Sequence, residues 1–354
     1  MRIIQSRKAD HIDIALNENV ISGYHYWDDV HLVHDSLPEI DLESIDTSIT
    51  LFGRKLGMPL IITAITGGFK QAEDINRNLA EACAELRVGL GVGSQRAALE
   101  HGEDASYTVL KEHDIPLKIG NIGAPQLIAQ KRRKAVNVDQ LGTAMDMIGA
   151  HVLAVHLNFL QEAAQPEGDT SAVGCLDAIR QVARAYPCIV KETGAGISRH
   201  TAMRLKGTGI LGMDIAGMGG TSFSAVEMHR SRRKGDHRLA AVGETFSGWG
   251  IPAPISLLEA QVGLPLIASG GIENGRQAAC TIAMGASCAG SARALLKDAM
   301  ESADKVKERL QRFRAELAAA MFLTGCKSVA ELSKSEFIIT GRTKEWMEGR
   351  ELCQ

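Results

Sequence analysis

Eight short runs of apolar and glycine residues, each followed by a helical pattern, limit the folds open to this chain. Each run is nearly continuous in apolar character and too short for a buried helix, as expected of a parallel strand covered on both faces. Between them, segments such as 72–87 and 175–186 repeat apolar residues at intervals of three and four, which indicates amphipathic helices. The runs span residues 59–66, 88–94, 116–123, 152–158, 188–194, 210–217, 265–271 and 288–295.

An α/β fold follows from this alternation. Eight strands separated by helices predict a (β/α)8 TIM barrel rather than a doubly wound open sheet. Residues 1–58 lie outside the repeat and are interpreted as an N-terminal arm that caps one barrel mouth and contributes substrate-binding residues. Residues 59–354 are predicted to form a single barrel with a C-terminal helical extension, which begins as one long helix at residue 294. The stretch 218–252 is predicted to be a lid or binding loop.

Composition excludes several classes of protein. The 39 basic and 42 acidic residues leave a net charge of −3, which argues against a nucleic-acid partner. No apolar run approaches the roughly 18 residues of a membrane span, and the N-terminus does not resemble a signal peptide. The seven cysteines have no zinc-like spacing and are interpreted as reduced thiols. We therefore expect a cytoplasmic protein with no membrane partner.

The turn after the seventh run carries the first specific chemical signal. In the sequence SGGIENG, the amides of Gly270, Gly271 and Ile272 precede a helix, and such amides form an anion site. With the amides of Ser291 and Ala292 after the eighth run, they would form the phosphate site common in barrels. The alternative is that these glycines only permit close helix packing.

Lys191 lies inside the fifth run, where an unpaired buried ammonium would be costly. One interpretation is a structural ion pair with Asp214 on the next strand. The interpretation that we favour is a cation that faces an electron-rich ring system.

Polar residues also follow the fourth run. Strand alternation places His156 and Asn158 on one face, and Gln161 and Glu162 come next in the chain. A carboxylate at this position could hold Mg²⁺ through a substrate phosphate. His156 alone could equally be a histidine of the core with its hydrogen bonds satisfied.

Three basic residues could serve a second anion. Arg96 follows the second run and would lie at the same barrel mouth as the phosphate site. Arg7 and Lys8 could be an ordinary solvated start to the chain. The basic runs 131–134 and 230–234 have no interleaved aromatic residues and are interpreted as solvated faces.

Taken in order along the chain, the motifs SRKADHI, ITAITGG, VGSQRAAL, GNIGA, HLNFLQE, KETGAG, GGTSF, SGGIENG and GSARALL resemble those of the type 2 isopentenyl-diphosphate isomerases. The resemblance implies a (β/α)8 flavoprotein that interconverts isopentenyl and dimethylallyl diphosphate with FMN, Mg²⁺ and NADPH. It also suggests a homotetramer or homo-octamer.

The resemblance assigns roles to residues of this chain. It implies that Glu162 is the Mg²⁺ ligand, that His156 and Asn158 face the substrate, and that Gln161 and Glu227 belong to the catalytic group. The substrate diphosphate would meet Arg7, Lys8, Ser94, Gln95, Arg96 and Gln161. The FMN contacts would be Ala64, Ile65, Thr66, Ser94, Asn121, Lys191, Thr221, Gly270, Gly271, Ile272, Ser291 and Ala292.

Moving a double bond by one position requires a proton to be added at one carbon and removed from another, with no net electron transfer. An unactivated alkene is a weak base, so its protonation needs a positioned acid in a dry pocket. The resemblance implies a non-redox role for reduced FMN, and we hypothesise that no side chain alone is the acid.

Two other kinds of FMN barrel are the nearest alternatives. A 2-hydroxy-acid oxidase would carry a catalytic histidine before the paired glycines of AGMGGTSF, and this chain has none there. An IMP-dehydrogenase type would need a nucleophilic cysteine in that loop, which is also missing. A barrel that only stores or senses flavin would not need Arg7, Lys8, Arg96 and Glu162.

Overall fold

The computed structural model describes residues 2–102, 105–131 and 133–352, and the side chains of residues 2–7 and 101 fall outside that description. Eight parallel strands form a closed barrel in chain order, and the last strand pairs with the first. The predicted (β/α)8 barrel is therefore confirmed. The strands are β1 (Leu60–Ile62), β2 (Gly89–Gly91), β3 (Lys118–Gly123), β4 (Val152–Leu157), β5 (Cys188–Glu192), β6 (Gly212–Asp214), β7 (Leu266–Ala268) and β8 (Cys288–Ser291).

Burial on both faces explains why the strands are continuous apolar runs. Ile61 of β1 packs inside the barrel with Ile119 and Ile189, whereas its neighbours Leu60 and Ile62 belong to the layer between the barrel and its helices. Polar side chains are accordingly concentrated near the strand ends, where they reach the mouths of the barrel.

Helices surround the barrel, and each segment predicted to be an amphipathic helix contains one. The helices of the described residues are α1 (Arg2–Asn17), α2 (Gln71–Leu86), α3 (Arg96–His101), α4 (Ala105–Thr108), α5 (Val138–Ile148), α6 (Phe159–Ala164), α7 (Cys175–Ala185), α8 (Arg199–Lys206), α9 (Phe223–Arg233), α10 (His237–Thr245), α11 (Ala253–Glu259), α12 (Gly275–Ala283), α13 (Arg293–Glu301), α14 (Ala303–Phe322), α15 (Val329–Leu332) and α16 (Gly341–Gly349).

Two predictions about these outer segments are wrong. The stretch 218–252 is not one long loop, because Ser222 caps α9 and Asp236 caps α10 within it. The extension after β8 does not begin as one long helix. Ser302 adopts an extended backbone conformation between α13 and α14, and its side chain accepts a hydrogen bond from the Lys305 amide. Ser302 therefore ends one helix and starts the next.

The segment before β1 reaches both ends of the barrel. Helix α1 contributes Lys8 and His11 to the cavity at the C-terminal mouth. A hairpin of Ile49–Leu51 and Arg54–Leu56 places Leu51 and Leu56 in the cluster that fills the barrel interior. A further strand pair joins Val30–Leu32 to Phe337–Ile339. The division of the chain into an arm and a barrel at residue 58 stays a prediction.

Among the helices described, none combines the length and the apolar character that crossing a membrane would require.

Candidate active site

The C-terminal ends of the strands open into one cavity of about 280 Å³, where a barrel is expected to have its active site. The predicted residues that line it are Lys8, Ala64, Ile65, Thr66, Ser94, Arg96, Asn121, His156, Asn158, Gln161, Glu162, Lys191, Thr221, Gly270, Gly271, Ile272, Ser291 and Ala292. Residues more than 280 positions apart in the chain are thus brought to one surface.

Two predicted residues, Gln95 and Glu227, do not line the cavity, and the side chain of a third, Arg7, is not described. Gln95 is fully buried, and its side chain donates to the carbonyl of Ala144 and accepts from the amide of Asn121. Its side chain is therefore occupied away from the place expected for a substrate. Glu227 lies behind the cavity wall and reaches it through other side chains. Arg7 belongs to α1, but its side chain lies outside the described part of the chain.

We call Gly270–Ile272, with Ser291 and Ala292, the phosphate turn. Gly270 and Gly271 have φ values of +103° and +91°, which L side chains rarely adopt. A Cβ on Gly271 would lie 2.5 Å from the Gly219 carbonyl oxygen, so the turn also requires close backbone approach. Ser291 donates to the Ile272 carbonyl at 2.7 Å and ties the two halves of the turn together. These backbone amides can bind an anion without a contact from any side chain.

Lys191 extends from β5 into the same cavity. Its ammonium donates to the Glu192 carbonyl oxygen at 3.3 Å, and within the described residues it forms no ion pair shorter than 4 Å. Asp214 instead accepts a hydrogen bond from Ser269, and burial raises the pKa of Asp214 while the positive charge of Lys191 acts in the opposite direction. The contact ion pair between Lys191 and Asp214, one of the two interpretations of the sequence, is therefore absent from the described chain.

His156 is held in the neutral form. Its Nδ1 lies 2.8 Å from Asn121 Oδ1, which can only accept, so Nδ1 carries the hydrogen and Nε2 is left as an acceptor. Burial lowers the pKa of His156 to about 3, and the cations Lys191, Arg96 and Lys8 act in the same direction. At neutral pH this ring can accept a hydrogen bond, but it is a weak base and does not supply an acidic proton.

Glu162 lies at the centre of a cluster of oxygen atoms. Its carboxylate accepts hydrogen bonds from Asn158 at 2.8 Å, from the Asp169 amide at 2.7 Å and from Gln165. Burial raises the pKa of Glu162, and the Asp169 amide partly offsets this effect. Asn158 Oδ1 and Gln165 Oε1 are buried without a hydrogen-bond partner in the described chain. These are the hard oxygen donors that Mg²⁺ prefers.

Two basic residues stand beside this cluster. Lys8 donates to the carbonyl oxygens of Ser94, at 3.0 Å, and of Gly67. Arg96 donates to Asp169 at 2.9 Å. Lys8, Arg96, Glu162 and Asp169 are called the charged rim below. Its basic side chains suit a second anion apart from the one at the phosphate turn.

A fully buried carboxylate lies behind the rim. Glu227 Oε1 accepts from His11 Nε2 at 2.8 Å and from Gln161 Nε2 at 3.1 Å, and Oε2 accepts from Arg230 at 2.9 Å. Burial by itself would raise the pKa of Glu227, but the hydrogen bonds and the charges of His11 and Arg230 outweigh it and lower the pKa to about 2. Glu227 therefore remains ionised at neutral pH.

Sequence reasoning missed several of these residues. His11 belongs to the SRKADHI motif but has no assigned role there, and Asp169 belongs to no motif. The interpretation of the basic run 230–234 as a solvated face is wrong for Arg230, which is buried against Glu227. Glu192 lines the cavity at the end of β5 and accepts hydrogen bonds from the amides of Thr193, Ala195 and Gly196. Its place in the KETG motif, directly after Lys191, was the available signal.

Comparisons with known proteins agree with this geometry. The family model of FMN-dependent dehydrogenases matches residues 249–339, which include the phosphate turn. Solved structures of a mandelate oxidase with benzoyl-formic acid and of a putative lactate oxidase from Pediococcus acidilactici superpose with TM-scores of 0.60 and 0.61. They are 16% and 12% identical and cover 96% and 89% of this chain, and 98% and 84% of their own. At such identities they show the barrel fold alone.

Sequence relatives are much closer. The isopentenyl-diphosphate delta-isomerase of Thermoplasma volcanium is 44% identical over 347 residues, covering 98% of this chain and 100% of the relative. That of Archaeoglobus fulgidus is 45% identical over 348 residues, covering 97% and 98%. The resemblance identified from the motifs is confirmed, and the chain belongs to the isopentenyl-diphosphate delta-isomerase family.

Proposed function

We propose that this protein interconverts isopentenyl diphosphate and dimethylallyl diphosphate, with FMN bound at the phosphate turn. The observation that carries the proposal is the presence of two separate anion sites at one barrel mouth. The phosphate turn offers backbone amides, and the charged rim offers Lys8 and Arg96. A flavin phosphate and a prenyl diphosphate require two such sites, whereas a barrel that only stored flavin would require one.

The residues present fit FMN. In the described chain the amides of Gly270, Gly271 and Ile272 donate no hydrogen bond to the protein, and the glycine cradle leaves no space for a Cβ. Lys191 and Thr221 line the cavity farther along, where a ring system would extend from the turn. When bound and reduced, FMN supplies an electron-rich ring and a proton on its N5. NADPH is proposed as the reductant that brings FMN to this state.

The residues also fit Mg²⁺, provided that the substrate completes its coordination. No group of three or more His, Cys, Asp or Glu side chains able to hold a metal occurs among the residues described. Glu162 provides one carboxylate, and Mg²⁺ commonly uses one or two carboxylates together with phosphate oxygens and water. We therefore propose that Glu162 holds Mg²⁺ only when a diphosphate is bound.

Side chains of the cavity wall can orient the substrate and take part in proton transfer. Gln161 lies in the cavity wall and is oriented by the ionised carboxylate of Glu227, which also accepts from His11. The Nε2 atom of neutral His156 remains an acceptor. We propose that these groups orient the alkene and move a proton, and that the water that would trap a cation is excluded once the cavity is filled.

The decisive experiment incubates the yellow holoprotein anaerobically with NADPH, Mg²⁺ and isopentenyl diphosphate. We expect dimethylallyl diphosphate to form without net consumption of NADPH beyond the amount that reduces the flavin. Flavin binding without any isomer would overturn the proposal and favour a flavin store or sensor. Stoichiometric oxidation of an added 2-hydroxy acid would instead favour an oxidase.

Replacing Gln161 and Glu227 separately tests whether one side chain is the acid. If no side chain alone is the acid, Gln161→Glu and Glu227→Gln should each retain activity above background while FMN stays bound and reducible. Loss of all activity in one variant, with normal FMN, would assign the proton to that residue.

Two broader assignments are also proposals. The lack of a membrane-crossing helix among the described residues and the balanced charge support a cytoplasmic setting without a nucleic-acid partner. A homotetramer or homo-octamer rests on the family resemblance, and sedimentation velocity of the holoprotein would test it.

A further inference from the structure

Arg230 is the most deeply buried cation next to the proposed catalytic group. Its side chain is 1% exposed and contacts carboxylates from three different segments. Nη1 donates to Glu227 Oε2 at 2.9 Å, Nη2 donates to Glu167, and Nε lies 3.8 Å from Asp10 Oδ2. An arginine surrounded in this way is fixed in position, since its planar donors must match several acceptors at once.

The two oxygens of Glu227 have different tasks. Oε2 accepts from Arg230, while Oε1 accepts from His11 and Gln161, which both line the cavity. Because the carboxylate is rigid and planar, the position of Oε2 determines where Oε1 lies. Arg230 therefore reaches the cavity only through Glu227.

We propose that Arg230 is a positioning residue for the isomerisation, which holds the Glu227 carboxylate so that Oε1 orients Gln161 and His11. The proposal rests on the function proposed above. It gives a role to a residue that does not line the cavity and that the sequence pattern alone assigns to a solvated basic run.

Charge is central to this role. A buried carboxylate that loses its cation tends to take up a proton, and a protonated carboxyl donates a hydrogen bond where it previously accepted one. If the proton sits on Oε1, the amide of Gln161 has to turn over; if it sits on Oε2, Oε1 still accepts from Gln161 but without its negative charge. The titratable groups that face the pair are Asp10 and His11 on α1 and Glu167 after α6. On α10, on the other side of α9, Glu244 pairs with Arg232 instead. The depressed pKa of Glu227, about 2, agrees with this arrangement.

The alternative is that Arg230 only fastens α1 to the barrel through Asp10. Arg233, on the same helix, provides a matched control because it binds Asp13 and Glu18 in and next to α1 without touching Glu227. If fastening α1 were the only role, Arg233→Gln should reproduce the effect of Arg230→Gln.

The experiment measures kcat, KM for isopentenyl diphosphate and bound flavin across pH for holoenzyme carrying Arg230→Gln, Arg230→Lys or Arg233→Gln. We expect Arg230→Gln to lower kcat by about tenfold to 100-fold, less than the roughly 100-fold or more that loss of an acid–base group costs, with flavin binding unchanged. The acid limb of its kcat profile should move to higher pH. Arg230→Lys, which keeps the charge, should recover part of kcat, and Arg233→Gln should retain normal kcat.

A double variant separates this proposal from the proposed function. If Arg230 acts through Glu227, Arg230→Gln combined with Glu227→Gln should be no slower than Glu227→Gln alone, because coupled residues are not additive. Additive losses, or an equal loss in Arg233→Gln, would overturn the role of Arg230. A normal kcat in Glu227→Gln would instead overturn the role proposed for Glu227 itself. If Arg230→Gln does not fold, a normal kcat and pH profile in Arg230→Lys would overturn the proposal.

Discussion

The phosphate turn and three members of the charged rim, Lys8, Arg96 and Glu162, line the same cavity, but the two sites are built from different chemical groups. The turn uses backbone amides held in place by Gly270 and Gly271, whose φ values are positive. The rim uses side chains, and Arg96 is held by Asp169, more than 70 positions away. A site built from backbone depends on local conformation, whereas a site built from side chains depends on distant partners.

Two buried carboxylates show the same contrast in their acidity. Glu192 accepts hydrogen bonds from amides, but its burial dominates and raises its pKa to about 7. Glu227 is also buried, yet the charges and hydrogen bonds of His11 and Arg230 lower its pKa to about 2. At Glu192 the amide hydrogen bonds and the charge of Lys191 offset only part of the cost of burial, whereas at Glu227 the direct side-chain hydrogen bonds and the neighbouring charges outweigh it.

The largest expected effect comes from adding one methyl group to the phosphate turn. In Gly271→Ala the new Cβ would lie 2.5 Å from the Gly219 carbonyl oxygen at a φ of +91°. Strain and displaced amides together cost roughly 3 kcal/mol, which corresponds to a loss of FMN affinity of about 100-fold or more. The flavin absorbance of the purified variant and a titration of its apoprotein with FMN measure this affinity.

Gly235→Ala provides the control. Gly235 also has a positive φ, +74°, but a Cβ there would have no atom within 4 Å, so this variant should keep its flavin. Normal flavin content in Gly271→Ala would show that the turn is not the phosphate site.

Removing the guanidinium of the charged rim should affect the substrate instead of the flavin. We expect Arg96→Gln to raise KM for isopentenyl diphosphate by about 100-fold, since a charge-assisted hydrogen bond to phosphate contributes up to about 3 kcal/mol. FMN affinity should be unchanged, as measured by flavin titration.

Arg133 provides the control for this prediction. It binds the same Asp169 oxygen at 2.9 Å but does not line the cavity, so Arg133→Gln should change KM much less. Equal effects of the two variants would mean that Arg96 acts only through Asp169 and does not contact the substrate.

A smaller effect is expected from the carboxylate of the rim. Glu162→Gln keeps the shape of the side chain but removes the charge that would attract Mg²⁺. The Mg²⁺ concentration for half-maximal activity should rise by about tenfold or more. Asp177→Asn, at an exposed carboxylate on α7, should leave this concentration unchanged. An unaltered Mg²⁺ requirement in Glu162→Gln would place the metal elsewhere.

The smallest effect concerns stability, and the two buried carboxylates should give opposite signs. The pKa of Glu192 is raised from 4.5 to about 7, so the folded protein binds more protons between these pH values. The free energy of unfolding of the protein should therefore fall as pH rises through this window, by at most about 1.4 kcal/mol per pH unit. Glu192→Gln should remove this decline. The lowered pKa of Glu227 gives stability that is present above pH 4.5 and lost as pH falls towards 2. Urea unfolding at several pH values measures both slopes, and equal signs would contradict the contrast.

The sequence was sufficient to predict the barrel and the conformation of the phosphate turn because both depend on local patterns, and the binding of a phosphate there stays a prediction. Continuous apolar runs indicate strands buried on both faces, and consecutive glycines before a helix indicate a backbone anion site. The same reasoning failed for residues 218–252, because the helix caps Ser222 and Asp236 were not recognised in a stretch rich in small residues.

Sequence patterns alone predicted the fold class, and the motifs named many of the residues that line the cavity at the strand ends. Only the tertiary structure decided that Gln95 is buried away from the cavity, that Lys191 and Asp214 form no contact ion pair, and that Glu227 acts from behind His11 and Gln161. The physical reason is that a backbone turn is specified by neighbours in the chain. The ionisation and orientation of a buried side chain are specified by charges that only folding brings within a few ångströms.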